Sequence, residues 1–207
     1  TSKKVLEGIN LEIKKNEILG IYGPSGGGKT TLINLILGFL KPSSGEVLLD
    51  NFNIHTDVKS WHNSISYVPQ DIFLFNDTIK KNILFGIDEK KIDINEINKV
   101  LKIVNLDEFV SKLDIGLDTV VGEKATKLSG GQAQRISIAR SILLDRDILF
   151  LDEATSKLDE ANEFEVIENL INKLGGKKTI IIISHREKTL NKFCDKIYNL
   201  SKNGLNY

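Results

Sequence analysis

Residues 23–31 read Gly23-Pro24-Ser25-Gly26-Gly27-Gly28-Lys29-Thr30-Thr31, four glycines followed by an ammonium and two hydroxyls. Glycines let successive backbone N–H groups point into one concavity, which is a cradle for phosphate oxygens. The spacing of Gly23, Gly28, Lys29 and Thr30 matches the phosphate-loop pattern, in which the lysine reaches β and γ phosphates and the hydroxyl faces Mg²⁺. A dinucleotide-binding loop is the rival, but the Gly-Lys-Thr ending is wrong for it and no acidic partner follows the next strand. A second carboxylate-bearing stretch complements the first. Asp152 and Glu153 close the apolar run 148–151, so a buried strand delivers both to its C-terminal end. Asp152 is suited to hold Mg²⁺ and Glu153 to polarise an attacking water. Taken alone, such a pair reads as solvated acids at a strand end; beside a phosphate loop it does not.

Residues 128–132, "LSGGQ", raise a different question, because Ser129 can cap a helix while Gly130 and Gly131 leave its first N–H groups open to an anion. Alone, Ser-Gly-Gly reads as an ordinary capped helix.

These groups need elements to hold them. The run 18–22 is apolar throughout apart from Gly20, as a parallel strand covered on both faces should be. Residues 29–40 have helical spacing and end at Lys41-Pro42. Alternation over 9–13 predicts an antiparallel entry strand, Asp50-Asn51 a hairpin turn, and 65–68 a strand stopped by Pro69. From about 77 to 144 helical periodicity dominates, with Ile92, Ile94, Ile97, Val100, Leu101, Val104 and Leu106 on one face and Ile136, Ile138, Ala139 and Ile142 on another. Strands at 148–151, 180–183 and 195–200 surround a helix at 160–174. The expectation is an α/β fold with a P-loop NTPase (RecA-like) core: a mostly parallel sheet, an antiparallel β entry region and an inserted α-helical subdomain. Residues 1–70 and 145–207 would form the core, and 71–144 the helical subdomain.

Bulk properties narrow the function. The 207 residues carry 28 basic and 28 acidic side chains, and aromatics make up 7%. Neither a positive field nor stacking platforms favour nucleic acid. Cys194 is the only cysteine, which excludes an internal disulfide. No apolar run approaches the roughly 20 residues of a membrane-spanning helix. The chain starts without methionine or a secretion signal and reads as a piece of something longer.

Together with Gln70 in "YVPQD", "SKLD" at 156–159 and His185 in "ISHR", these motifs resemble the nucleotide-binding domain of ATP-binding cassette transporters over nearly the whole chain. The resemblance implies a Mg²⁺-dependent ATPase coupled to transport. Residues 23–31 would bind ATP; Thr30, Gln70 and Asp152 would hold Mg²⁺; Glu153, His185, Gln70 and Lys29 would be catalytic. Ser129, Gly130, Gly131, Gln132 and Asp159 would contact nucleotide, with Ser129 and Gly131 gripping the γ phosphate seated on a partner domain. It also implies a head-to-tail dimer of two such domains, with a second copy as the expected partner, a transmembrane domain, no nucleic acid, and a place on the cytoplasmic face of a bacterial inner membrane.

"LFNDTIKKNILFG" at 74–86 and Gly122-Glu123 resemble exporter cassettes, with wording close to flippases of lipid-linked oligosaccharides; lipid and peptide exporters share most of it. Phe73, Phe75, Ile79 and Ile83 would either meet membrane-domain helices or pack inward. Two departures stand out. The family's adenine-stacking aromatic falls before any residue present, since Tyr22 lies on the wrong element. Lys157 stands where the family usually has a small alanine. A chromosome-maintenance or DNA-repair cassette would need a long coiled coil between Gln70 and Leu128, for which there is no room. A regulatory cassette without turnover fits poorly with an intact Glu153 and His185.

Overall fold

The computed structural model describes residues 5–122, 128–201 and 204–206. In chain order the elements are β1 (Ile18–Tyr22), α1 (Lys29–Ile36), β2 (Leu48–Leu49), β3 (Phe52–Asn53), α2 (Val58–Ser64), β4 (Ile65–Val68), β5 (Asp77–Thr78) and α3 (Ile79–Ile83). They continue with α4 (Ile94–Ile103), α5 (Asp107–Ser111), β6 (Val120–Val121), α6 (Gly130–Leu143) and β7 (Ile148–Asp152). The last are α7 (Glu160–Leu174), β8 (Thr179–Ile183), α8 (Glu187–Phe193), β9 (Lys196–Ser201) and β10 (Gly204–Asn206).

Six strands form one sheet in the order β10-β9-β1-β8-β7-β4, all pairs parallel except β10 against β9. The unbroken apolar wording of β7 and β8 follows from this position, because both faces are covered. Leu149, Leu151, Ile180 and Ile182 join a core with α3, α4, α6 and α7. Their neighbours Phe150, Ile181 and Ile183 point the other way, into a core with Ile33, Leu37 and Trp61. A period of two thus feeds two hydrophobic layers from one strand.

The hairpin turn is realised at Asp50 and Asn51, both at positive φ (47° and 70°), as a primed two-residue turn between β2 and β3 requires. The entry strand expected over 9–13 is not: residues 5–14 carry no strand. Ile9, Leu11 and Ile13 still turn toward the second core while Asn10 and Glu12 are exposed. The alternation therefore records burial of one face without a ladder. Within 77–144 the helical reading is interrupted by the antiparallel pair of β5 and β6. Ile94 is exposed, whereas Ile97, Val100, Leu101, Val104 and Leu106 are buried.

Candidate active site

Four parallel strands run to the same edge, and each releases one chemical group there. β1 leads into the glycine loop, β4 into Gln70, β7 into Asp152 and Glu153, and β8 into His185. In open parallel sheets this carboxyl edge is where ligands gather.

Gly28, at φ 99°, caps α1 with no side-chain hydrogen bond, and no acidic residue occupies the first turn. The helix thus presents bare N–H groups and the positive end of its dipole. Lys29 is buried at 8% exposure, and its ammonium donates to the carbonyls of Gly23 (2.8 Å) and Pro24 (3.1 Å). Those neutral acceptors hold a buried cation that phosphate oxygens would satisfy better. Ser25, Gly26 and Thr30 are exposed in the cradle, while Gly27 is buried and Thr31 half-buried.

Glu153 sits at the centre. Its carboxylate accepts from Gln70 Nε2 at 2.7 Å and from His185 Nε2 at 2.5 Å, with Lys29 Nζ 4.0 Å away. Its backbone is left-handed, φ 48°, fixed by an N–H bond to the Ile183 carbonyl at 2.9 Å. A non-glycine residue held in this region is strained, and such strain collects where geometry serves function. Three of the residues expected to be catalytic, Gln70, His185 and Lys29, therefore converge on the carboxylate of the fourth. Neighbouring Asp152 accepts from the Tyr67 hydroxyl at 3.1 Å. Burial pushes the Asp152 carboxyl above the usual range and the Tyr67 phenol up as well.

The donor set fits Mg²⁺. Thr30 exposes its hydroxyl, Asp152 keeps lone pairs beyond the one Tyr67 takes, and Gln70 bonds through nitrogen and so keeps its amide oxygen. These are hard oxygen ligands in the small number that Mg²⁺ takes from protein when phosphates supply the rest.

The second glycine-rich start behaves as a capped helix with an unusual surface. Ser129 accepts from the Gln132 N–H, and the Gln132 side chain accepts from the Ser129 N–H, a complete capping box. A Cβ on Gly130 would lie 2.7 Å from the Lys157 side chain, and one on Gly131 2.7 Å from that of Leu158. A side chain at Gly131 would run into the buried Leu158, whereas one at Gly130 would meet the flexible stem of Lys157, which can shift. Lys157 lays its stem across the helix start with its head exposed. Asp159 caps α7 through Asn162, whose amide and side chain hold its carboxyl below the usual range. Among the described residues no hydrogen bond or ion pair joins Ser129, Gly130 or Gly131 to the phosphate loop of the same chain.

A sequence model described as ABC transporter matches residues 6–156. The chain belongs to the ABC transporter family. An export ATP-binding/permease protein of Rickettsia prowazekii is 42% identical over 206 residues, covering 98% of this chain and 34% of that protein. An ATP-dependent lipid A-core flippase of Desulfotalea psychrophila is 45% identical over 190 residues, covering 91% of this chain and 33% of the flippase. The solved structure of a bacterial Atm1-family ABC exporter with ATP bound superposes with a TM-score of 0.91 at 35% identity, over 99% of this chain and 36% of that one. This ABC chain spans about a third of the length of the curated relatives it matches.

Some residues of the site escaped the motif reading. Tyr67, Gln134 and the buried Glu163 with Arg186 all brace the reacting loops. Glu163 accepts from the Thr155 hydroxyl at 3.0 Å and from Arg186, which also donates to the Leu158 carbonyl at 2.8 Å. The Gln134 signal lay in the pattern: it shares a helical stripe with Ser137, Ile138 and Ser141, all buried. Ile79 and Ile83, one of the alternatives for a membrane-domain contact, are fully buried, so they pack inward; Phe73 is 69% exposed and Phe75 half-buried. Gly122 sits against Asn76, and Glu123 lies outside the described residues.

Proposed function

We propose that this ABC chain binds ATP with Mg²⁺ and hydrolyses it to drive an exporter or flippase from the cytoplasmic face of a bacterial inner membrane. The observation that carries this reading is the single carboxylate of Glu153, fixed by Gln70 and His185 beside the ammonium of Lys29.

Lys29 exchanges the Gly23 and Pro24 carbonyls for the β and γ phosphates, and the bare N–H groups of α1 take the remaining oxygens. Glu153 orients a water in line with the γ phosphorus and takes up its proton. The new phosphorus–oxygen bond forms as the bond to the bridging oxygen breaks, and ADP leaves with that electron pair. Lys29 offsets the charge that accumulates on the phosphates. His185 fixes the Glu153 oxygen it touches, which keeps the other oriented by Gln70. Thr30, Asp152 and the Gln70 oxygen would hold Mg²⁺, which when bound neutralises phosphate charge.

The exposed signature start of α6 meets a γ phosphate on the phosphate loop of a second copy, and the second copy returns the contact; a two-fold axis satisfies both. Ser129, Gly130, Gly131 and Gln132 then complete the partner's site, with Asp159 at the seam. A membrane domain docks elsewhere. A cavity of about 250 Å³ beside Gln70 is lined by Tyr67, Phe73, Phe75, Phe85, Arg140 and Leu144. Phe73 and Phe75 stack edge-on at 5.1 Å, and the Arg140 guanidinium lies 5.4 Å over Phe85. An aromatic groove next to Gln70 suits a cytoplasmic helix whose motion is passed to the site. Among the described residues no helix is long and apolar enough to cross a membrane. The cargo class follows the lipid A-core flippases among the relatives: an amphipathic lipid carrying sugars. Phosphate release by the purified chain with ATP and Mg²⁺ tests the reading. Turnover should vanish in Glu153→Gln with ATP binding retained, and ATP binding should vanish in Lys29→Ala; an unaffected Glu153→Gln would remove the base.

A further inference from the structure

Gln134 is wholly buried, one turn into α6 from the signature glycines, on a helix otherwise lined there by small and apolar side chains. Its amide spends every hydrogen on one loop. Nε2 donates to the Glu153 carbonyl at 3.3 Å and to the Ser156 hydroxyl at 3.1 Å, while Oε1 accepts from the Lys157 N–H at 2.8 Å. The same Glu153 carbonyl also closes the turn by accepting from the Ser156 N–H at 3.0 Å. One side chain of α6 therefore grips the turn that begins at the strained Glu153 and ends at Lys157, whose stem covers Gly130.

The volume here could be filled by leucine, and an apolar residue would avoid burying the two polar atoms of the amide. A buried amide that is fully satisfied instead selects one loop geometry over its neighbours. Displacing α6 along its axis by a fraction of an ångström must either break these bonds or carry the Glu153 backbone with it.

We infer that Gln134 is a positioning residue that ties the signature end of α6 to the backbone of Glu153, so that the base is aligned only when α6 is seated. The inference rests on the hydrolytic reading above. Gln134 touches no substrate; it acts through the main chain of the residue that does. Its loss should lower turnover and spare nucleotide binding, because the phosphate loop and Lys29 lie between β1 and α1, away from the 153–157 turn.

Two variants of the 207-residue chain test this. Gln134→Leu keeps the volume and deletes all three bonds; kcat should fall about tenfold or more, with KM for ATP changed less than about twofold. Gln134→Glu keeps the acceptor toward Lys157 but, when ionised, cannot donate to Glu153 or Ser156. A protonated carboxyl regains one donor, so the ratio of its kcat to that of the unaltered chain should climb as pH is lowered from about 8 to about 6. This profile carries the test by itself if the leucine variant does not fold. Undiminished kcat in Gln134→Leu, or a Gln134→Glu deficit that stays flat with pH, would overturn the role. A chain that turns over no ATP before any substitution would instead overturn the hydrolytic reading.

Discussion

Gln70 Nε2 donates to Glu153 Oε2 across 2.7 Å, joining the second residue after β4 to the residue after β7 by one short bond. The other carboxylate oxygen meets His185 at 2.5 Å. The Glu153 carboxylate is therefore held from the two strands that flank β7, β4 and β8. Replacing His185 by alanine frees one oxygen of a 7%-exposed carboxylate. The expected outcome is a fall in kcat of about 10²-fold or more, the range for a disabled general base. ATP affinity, measured by calorimetry, should stay close to that of the unaltered chain, since among the described residues no hydrogen bond or ion pair joins His185 to the phosphate loop.

Asn82 supplies a stability test away from the chemistry. It is fully buried on α3, accepts from the Phe75 N–H at 2.8 Å and donates to the Phe75 and Thr78 carbonyls at 3.0 Å each. That amide ties the 75–78 segment, which leads through β5, to α3 beneath the aromatic groove. Asn82→Ala removes the acceptor of the Phe75 N–H, while the Phe75 carbonyl keeps the Asp77 N–H, and should cost ~1–3 kcal/mol. A lower urea midpoint with unchanged slope checks it.

Acid should weaken the fold through Glu17. Burial pushes its carboxyl up, but the Lys14 N–H at 2.7 Å and the Lys196 ammonium at 2.9 Å outweigh this and hold it below its ordinary 4.5. A depressed carboxyl contributes stability that is complete above the unfolded value and lost as pH falls through the folded one. Melting temperature should therefore drop as pH is taken below about 4.5. In Glu17→Gln the start is lower and the drop shallower.

Much of the site was legible because its chemistry is local. Gly23, Lys29 and Thr30 are neighbours on the chain, and the strand ending at Asp152 announces where its carboxylates emerge. Ser129 announced a helix cap, and the structure adds that Gln132 closes it into a capping box. Convergence of Gln70, His185 and Glu153 was legible through family resemblance alone, because two crossovers of a parallel sheet, from β4 to β7 and from β7 to β8, bring them together. Tyr67, Gln134 and Glu163 were missed for a related reason. Each acts through a partner distant in sequence, and a buried polar side chain reads as filler until its acceptor is known. The entry strand at 9–13 failed differently: alternation reports which face is buried, and a chain can satisfy it without pairing.

In the proposed dimer the signature start at Ser129 serves the ATP of a second copy. With Glu153→Gln holding ATP unhydrolysed, light-scattering mass should double on adding ATP and Mg²⁺, and adding Ser129→Arg to the same chain should leave it monomeric although ATP still binds. The same ATP-dependent doubling in both proteins would contradict the account.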